Sequence, residues 1–150
     1  MINEKLKKIK LVITDVDGVL TDGLLHYDAN GEAIKSFHVR DGLGVKMLMD
    51  AGIQVAVLSG RDSAILRKRI SDLGIKLFFL GKLEKESACL DLMKQAGVTA
   101  EQTAYIGDDS VDLPVAFLLP WQTLHLMCKM PWIMCLHLEA EKVLSEKCPI

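Results

Sequence analysis

The chain lacks three features that would each point to a different class of protein: a CxxC pair, an apolar run long enough to span a bilayer, and a strong excess of charge of one sign. Without CxxC spacing the four cysteines give no zinc site, and reduced thiols are expected. A net charge of −2 gives no reason to expect nucleic acid or an anionic membrane as a partner. The start, MINEKLKKIK, is basic and polar and lacks the apolar segment of a signal peptide. We therefore expect a soluble, cytoplasmic protein.

Glycine is missing from the end of the chain. Gly107 is the last of the 11 glycines, although an average usage of about 7% would place about three among the residues after it. All four prolines, both tryptophans and three of the four cysteines lie between 114 and 150. This change in composition divides the chain into a regular part, 1–114, and a tail, 115–150, of different character.

In the first 114 residues, strand-like apolar runs alternate with helix-like stretches. The strand-like runs are LVIT (11–14), QVAVLS (54–59), KLFFL (76–80) and TAYIG (103–107). The helix-like stretches, each ending on glycine, are 42–52, 63–74 and 85–97. This alternation predicts the α/β class, with a Rossmann-like parallel sheet and helices on both of its faces. The segment HYDANGEAIKSFHV carries a DANG turn between two short runs, which predicts a β-hairpin.

Polar residues cluster where the predicted strands end, and the carboxyl ends of parallel strands meet at one edge of a sheet. In strand order these residues are Asp15 and Asp17; Ser59, Gly60 and Arg61; Lys82 and Lys85; and Asp108, Asp109 and Asp112. Two adjacent carboxylates such as Asp15 and Asp17 repel each other unless a cation lies nearby. Mg²⁺ takes few carboxylates and shares oxygens with a phosphoryl group. The sequence therefore predicts a site for Mg²⁺ and a phosphate.

Four motifs in order carry a family resemblance: DVDGVLTDG, LSGR, GKLEK and GDDSVD. They resemble the motifs of the haloacid dehalogenase-like (HAD) phosphatase superfamily. The segment SFHVRDGLGVK resembles the branch that has no large cap domain and hydrolyses 3-deoxy-D-manno-octulosonate 8-phosphate. The resemblance covers about residues 8–114. It implies a Mg²⁺-dependent phosphatase of lipopolysaccharide precursor synthesis, with a β-hairpin flap and four associated subunits.

The resemblance also implies the catalytic roles. Asp15 is the nucleophile, which forms an aspartyl-phosphate because a carboxylate is already ionised near neutral pH. Asp17 protonates the leaving sugar oxygen and then deprotonates the water that breaks the intermediate. Mg²⁺ is held by the Asp15 carboxylate, the Asp17 backbone carbonyl and the Asp108 carboxylate. Ser59 and Lys85 grip the phosphate.

The same resemblance implies roles for residues around these groups. Asp109 and Asp112 are expected to orient Lys85 and metal-bound water. Besides Asp17 and Lys85, the residues expected to contact substrate are His38, Val39, Arg40, Asp41 and Gly42 on the hairpin, together with Lys46, Arg61 and Arg69. Arginine suits a sugar acid because a guanidinium group binds a carboxylate through two hydrogen bonds.

Some of these residues also have a simpler interpretation. Asp112 is consistent with a residue that starts a helix, where acidic side chains are favoured. Lys82 competes with Lys85 for the phosphate, although the spacing after the preceding glycine favours Lys85. Arg69 shares its helix with two other basic residues, and such a basic face is also consistent with simple solvation.

The tail departs from the branch after Pro114. The branch continues with a strand, a helix, another strand and a glycine-rich end of the type GG-(R/K)-GA-x-RE. A permitted set of codons for residues 138–150, read one base out of frame, spells GGRKGAFREMSD. We therefore predict that a frameshift near Val115 replaced the native C-terminus, so that the phosphatase core is 1–114 and 115–150 is not family-like.

Three other functions compete with this interpretation. One is the sister phosphatase activity on a nine-carbon acidic sugar phosphate, which only rates on both substrates can separate. A second is an inactive, frameshifted relative that still binds Mg²⁺ and phosphate. The third is a phospho-accepting signalling domain, which would place its acidic pair before the phosphorylated aspartate rather than beside it.

Overall fold

A parallel sheet forms the centre of the molecule. The structure is a computed structural model that describes residues 7–119 and 124–126. In this part of the chain the sheet consists of β1 (Leu11–Thr14), β4 (Gln54–Leu58), β5 (Leu77–Phe79), β6 (Thr103–Gly107) and β7 (Leu124–Leu126). Their order across the sheet is β5-β4-β1-β6-β7. A separate two-stranded sheet pairs β2 (His26–Asp28) with β3 (Gly31–Ile34).

The described residues contain four α-helices and two short 3-10 turns. The helices are α1 (Val39–Asp50), α2 (Ala64–Leu73), α3 (Lys85–Ala96) and α4 (Leu113–Leu118), and the turns are Ala100–Gln102 and Ser110–Asp112. None of these helices has the length and apolar character needed to cross a bilayer.

The central strand β1 sets the position of the acidic residues. All four of its residues are buried, as expected for a strand with a neighbour on each side and helices on both faces. Leu11 lies opposite Gln54 on β4 and Thr103 on β6, and both pairings are parallel. The carboxyl ends of the three strands therefore lie side by side, and the residues that follow them share one edge of the sheet.

Two hydrophobic clusters cover the two faces of the sheet. One contains Leu11 and Ile13 of β1 and packs against Cys89 and Leu92 of α3. The other contains Val55 and Val57 of β4, and the side chains of α1 and α2 that pack on it are Val45, Leu66, Ile70 and Leu73. Alternate residues of the strands point to opposite faces, so one strand serves both clusters. The predicted parallel α/β sheet with helices on both faces is confirmed.

The start of α1 differs from the prediction. We expected the helix to begin at Gly42 and placed the segment from His38 to Gly42 on the hairpin, but the hairpin strands end at Ile34 and the helix begins at Val39. His38 is the N-cap, and its Nδ1 accepts a hydrogen bond from the Arg40 backbone N–H at 3.0 Å. Histidine is not among the usual N-cap residues, so the sequence carried no clear start signal.

The hairpin itself is confirmed. β2 and β3 pair antiparallel, and the Asp28 carboxylate accepts a hydrogen bond from the Asn30 backbone N–H at 2.7 Å inside the turn. Gly31 closes the turn with φ of +122°, a conformation that side-chain-bearing residues rarely adopt. Most side chains of the two strands are exposed.

Only part of the predicted tail, 115–150, lies among the described residues. Most of α4 belongs to it, and β7 extends the sheet by pairing parallel to β6, with Tyr105 opposite Leu124. Val115 and Leu119 join the cluster on the α3 face. The prediction that the rest of the tail replaces native structure falls on residues outside the described part.

Replacing Leu66 by alanine is expected to lower the free energy of unfolding by about 2–5 kcal/mol. The Leu66 side chain is 1% exposed, so its removal leaves a cavity in the cluster between α2 and β4. Urea unfolding followed by circular dichroism measures the effect. The matched control is Leu83→Ala, because Leu83 is 75% exposed and its loss should change stability by no more than about 0.5 kcal/mol. Equal losses in both variants would contradict this packing.

Candidate active site

Asp15 is the residue that follows β1, and the sheet fixes its position. Its backbone N–H donates to the Ile106 carbonyl at 2.8 Å, which continues the β1–β6 ladder by one residue. One carboxylate oxygen, Oδ1, accepts from the Val16 backbone N–H at 2.7 Å, and Oδ2 lies 2.8 Å from Lys85 Nζ. Burial raises the pKa of Asp15 above its ordinary value, while the charge of Lys85 opposes that rise.

Lys85 is the first residue of α3 and brings a buried positive charge to Asp15. Only 2% of the residue is exposed, and its Nζ lies 2.6 Å from Asp112 Oδ1 as well as near Asp15. Burial alone would lower the pKa of Lys85, but the charges of Asp15 and Asp112 outweigh it and raise the pKa. The ammonium group is therefore charged at neutral pH and able to attract an anion. Lys82, the predicted competitor, is exposed.

Asp112 anchors this ion pair. It is fully buried, and its Oδ1 accepts from Lys85 Nζ and from the Tyr105 O–H. Its Oδ2 accepts from the backbone N–H groups of Asp108 at 3.0 Å and of Asp109 at 3.1 Å. Four donors thus surround the two oxygens, which suits a residue that orients its neighbours rather than one that faces a ligand. Asp109 caps the Ser110–Asp112 turn by accepting from the Ser110 backbone N–H.

Asp108 completes a group of three carboxylates. Asp15, Asp108 and Asp112 each offer an oxygen within 4.8 Å of the others. Burial and the negative charges of Asp15, Asp112 and Asp109 raise the pKa of Asp108 to about 6. The approach of Asp108 requires glycine opposite it, because Gly18 has φ of +89° and a Cβ there would lie 1.7 Å from Asp108 Oδ2.

The carboxylate group fits a hard divalent cation. One lysine faces three carboxylates, so the cluster carries excess negative charge, which adds to burial in raising the pKa of Asp108. Since the oxygens of Asp112 are taken by four donors, Asp15 and Asp108 are the residues whose oxygens would hold Mg²⁺. The Asp17 side chain lies outside this cluster, and the predicted contribution of Asp17 to the metal is its backbone carbonyl.

Asp17 turns its carboxylate toward the hairpin. Oδ1 forms an ion pair with the buried Lys35, and Oδ2 lies 3.9 Å from Arg61 Nε. Ser59 follows β4 and is 1% exposed, and its Oγ accepts from the Arg61 backbone N–H at 3.1 Å. Asp17 and the loop after β4 are therefore neighbours at the edge of the sheet, beside the carboxylate cluster.

The predicted substrate residues fall into two groups. The first lines a small depression between α1 and α2, where the Arg69 guanidinium lies 5.4 Å from the centroid of the Phe37 ring; its predicted members are His38, Asp41, Gly42 and Arg69. The second is Arg61, whose Nη2 donates to the Tyr27 hydroxyl at 2.7 Å. Arg40, Lys46 and Val39 are exposed and lie outside both groups.

Sequence reasoning missed Lys35, Glu32 and Tyr105. The role of Tyr105 could have been predicted from the sequence, because a tyrosine in a buried strand usually needs a hydrogen-bond partner for its O–H. Burial and the negative charge of Asp112 raise the pKa of Tyr105, so its phenol keeps its proton and donates it. No sequence signal marks Lys35 and Glu32 as buried, because charged residues on a hairpin are mostly exposed.

Curated proteins resemble this chain over most of its length. A 3-deoxy-D-manno-octulosonate 8-phosphate phosphatase from Haemophilus influenzae is 89% identical over 111 residues, which are 74% of this chain and 62% of that protein. The phosphatase of the same name from Escherichia coli K12 is 41% identical over 111 residues, which are 74% of this chain and 59% of that protein. The chain thus spans about three fifths of the length of these relatives. No protein-family model matches it.

Solved structures share the fold. The cobalt-bound deoxy-D-mannose-octulosonate 8-phosphate phosphatase of Haemophilus influenzae has 86% identity and a TM-score of 0.76, over 77% of this chain and 67% of that one. Another is the 3-deoxy-D-manno-octulosonate 8-phosphate phosphatase of Moraxella catarrhalis, solved in complex with a magnesium ion, a phosphate ion and a KDO molecule. It has 41% identity and a TM-score of 0.74, and the match covers 79% of this chain and 68% of that one. A hydrolase of Legionella pneumophila assigned to HAD subfamily III A has 50% identity and a TM-score of 0.74, over 77% and 64%.

Mg²⁺ is expected to stabilise the folded chain more at pH 8 than at pH 5, because it must displace the proton that Asp108 holds below a pKa of about 6. Without metal, Asp108 makes the free energy of unfolding depend on pH in the opposite direction. Because folding raises the pKa of Asp108 from the ordinary 3.8 to about 6, the free energy of unfolding falls as the pH rises between these two values. Thermal melts with and without Mg²⁺ measure both trends, and a free concentration of 100 times Kd should add about 2.7 kcal/mol.

The matched control is Asp108→Asn, which removes the titrating group. In this variant the Mg²⁺-induced stabilisation should be weak and should change little with pH. A variant that binds Mg²⁺ as tightly as the unchanged chain would show that Asp108 is not a ligand.

Proposed function

This chain belongs to the 3-deoxy-D-manno-octulosonate 8-phosphate phosphatase family of the HAD superfamily, and we propose that it removes the phosphate from a phosphorylated sugar acid of that kind. The observation that carries the proposal is the contact between the Asp15 carboxylate, fixed at the end of the central strand, and the buried Lys85 ammonium at 2.8 Å. A fixed carboxylate beside a buried cation and a second carboxylate, Asp108, suits phosphoryl transfer to an aspartate.

Asp15 performs the first step. An oxygen of its carboxylate attacks phosphorus, the bond from phosphorus to the sugar oxygen breaks, and an aspartyl-phosphate forms. The leaving oxygen takes a proton from Asp17. Mg²⁺ bound through Asp15 and Asp108 would supply charge neutralisation for the phosphoryl oxygens. Lys85 brings a positive charge to the same place without leaving the protein interior.

The second step restores the enzyme. Asp17, now ionised, removes a proton from water, and the resulting oxygen nucleophile attacks phosphorus. The bond between phosphorus and Asp15 breaks, which releases inorganic phosphate and returns the carboxylate. Ser59 lies at the end of the neighbouring strand β4, buried and close to Arg61, and its hydroxyl is proposed to hold the phosphate in both steps.

Two arginines and one relative support the proposed substrate class. Arg61 and Arg69 are proposed to bind the carboxylate of a sugar acid, because a guanidinium group offers two parallel donors. The Moraxella catarrhalis phosphatase, 41% identical, was solved with phosphate and KDO. An eight-carbon substrate is therefore the first choice, and rates on the nine-carbon analogue test the sister activity.

The wider context is carried over from the family. A role in lipopolysaccharide precursor synthesis, a cytoplasmic location and assembly into a tetramer accord with this function and stay predictions for this chain. The same holds for the frameshift after Pro114, since most of the segment it concerns lies outside the described residues.

Asp15→Asn is expected to lower phosphate release from 3-deoxy-D-manno-octulosonate 8-phosphate by more than about 10³-fold, because an amide is not a competent nucleophile. Part of the Mg²⁺-induced stabilisation should remain, because the amide keeps one oxygen. The matched control is Asp91→Asn on the exposed face of α3, which should release phosphate at the unchanged rate. Turnover of Asp15→Asn close to that of the control would remove Asp15 from the mechanism.

A version of the chain with the frame restored after Val115 is expected to be more stable than the chain as written and to show more phosphatase activity. Each buried aliphatic side chain that the tail fails to supply is worth about 1.5–3 kcal/mol, and several such losses approach a typical total of about 5–15 kcal/mol. Thermal melts, sedimentation and phosphate release compare the two versions. A cooperative melt, a tetramer and full activity in the chain as written would contradict the frameshift.

A further inference from the structure

A second charged cluster joins the hairpin to the loop that carries Asp17. Lys35, directly after β3, pairs its ammonium with Asp17 Oδ1 and lies 3.0 Å from Glu32 Oε1. Arg61 contacts the same two carboxylates at longer range, with Nη2 3.8 Å from Glu32 Oε2 and Nε 3.9 Å from Asp17 Oδ2. Two cations and two carboxylates therefore balance in charge.

The burial of this cluster sets it apart from the rest of the hairpin. The Lys35 side chain is 2% exposed and that of Glu32 is 8% exposed. Tyr27 and Ile34 of the hairpin strands are exposed residues. Lysine and glutamate are almost never this buried unless they are paired. A buried ion pair adds little net stability, because removing two charges from water offsets their attraction. The role of this ion pair is therefore expected in the position that it gives to the Asp17 side chain.

The two oxygens of Asp17 have different surroundings. Oδ1 is in direct contact with Lys35 Nζ. Oδ2 has Arg61 Nε at 3.9 Å, which is beyond hydrogen-bonding distance. The close contact fixes the direction of the carboxylate and at the same time leaves Oδ2 available for proton transfer.

The geometry points to Lys35 as a positioning residue for the proton transfer by Asp17. Its ammonium, held in turn by Glu32, fixes the Asp17 carboxylate through Oδ1 so that Oδ2 delivers the proton to the leaving sugar oxygen. This assignment rests on the proposed phosphatase function, and it adds the hairpin to the catalytic arrangement through a residue outside the predicted site.

Leaving groups of different basicity isolate this role. A sugar alkoxide is strongly basic and needs a proton as its bond to phosphorus breaks, whereas p-nitrophenolate is weakly basic and leaves without one. A defect in proton delivery therefore slows hydrolysis of the sugar phosphate and spares that of p-nitrophenyl phosphate. Damage to the nucleophile, to the metal site or to folding slows both.

The test is Lys35→Met, which keeps most of the length of the side chain and removes its charge. With 3-deoxy-D-manno-octulosonate 8-phosphate, kcat is expected to fall by about 10–100-fold, part of the typical contribution of an acid–base group, while KM changes little. With p-nitrophenyl phosphate, kcat should change by less than about threefold. Lys35→Arg should restore part of the lost rate. Lys68→Met is the matched control, because it breaks the exposed pair between Lys68 and Asp72 and should change neither rate.

Two further variants make the result decisive. In Asp17→Asn, adding Lys35→Met should cause no further loss, because Lys35 then has no carboxylate to position. Should Lys35→Met fail to fold, Glu32→Gln combined with Lys35→Met removes one charge of each sign and is measured in its place. An equal fall with both substrates, or an additive loss in the Asp17→Asn background, would overturn the assignment.

Crystal structures of the unchanged chain and of Lys35→Met separate this inference from the proposed function. If the unchanged chain hydrolyses neither substrate, the phosphatase proposal fails, and the structures still decide whether Lys35 positions Asp17. A changed direction of the Asp17 carboxylate in the variant would support that assignment, and an unchanged one would refute it.

Discussion

The acidic edge of the sheet depends on the buried ammonium of Lys85. It lies 2.8 Å from Asp15 and 2.6 Å from Asp112, and so it joins the end of β1, the start of α3 and the turn after β6. Removing one partner from a buried ion pair typically costs about 3–5 kcal/mol, because the remaining charge has no compensation. The same contact holds Asp15, the proposed nucleophile, in place, and the positive charge of Lys85 is able to attract an anion to it. Asp108 lies beside these carboxylates, and a side chain at Gly18 would clash with it.

Much of the fold could be predicted from the sequence, because strong local signals coincide with its elements. LVIT and TAYIG are buried strands with the predicted bounds, and α2 and α3 end before glycines at φ of +75° and +68°. The start of α1 could not be predicted, because it depends on a histidine cap and two glycines lie in its first turns. The site was predictable as a set of strand ends, since parallel pairing brings those ends together. Which oxygen meets which donor was not, because the partners of Asp112 come from residues 85, 105, 108 and 109.

The two aspartates of the DVDG motif differ in what supports them. Asp15 is tied to the sheet by a backbone hydrogen bond to Ile106 and is surrounded by the protein core. Asp17, two residues later, is tied through Lys35 and Glu32 to β2 and β3, which form a sheet of their own. The proposed nucleophile, Asp15, thus follows a fully buried strand, and the proposed proton carrier, Asp17, lies at the junction with the mostly exposed hairpin. These two aspartates, two residues apart, contact different lysines, so the two proposed steps rest on separate contacts.

The register of β1 also constrains the order in which the protein can be assembled. The first strand of the chain pairs with residues near 54 on one side and near 103 on the other, so its two neighbours are synthesised long after it. Contacts between residues this far apart in sequence form slowly, because a long loop must close before any pairing rewards it. A growing chain that has reached only β4 has one side of β1 paired and the other side open, a condition that favours association with other chains. The DVDG motif is therefore made before both strands that border β1 and is among the last segments to take up its final surroundings.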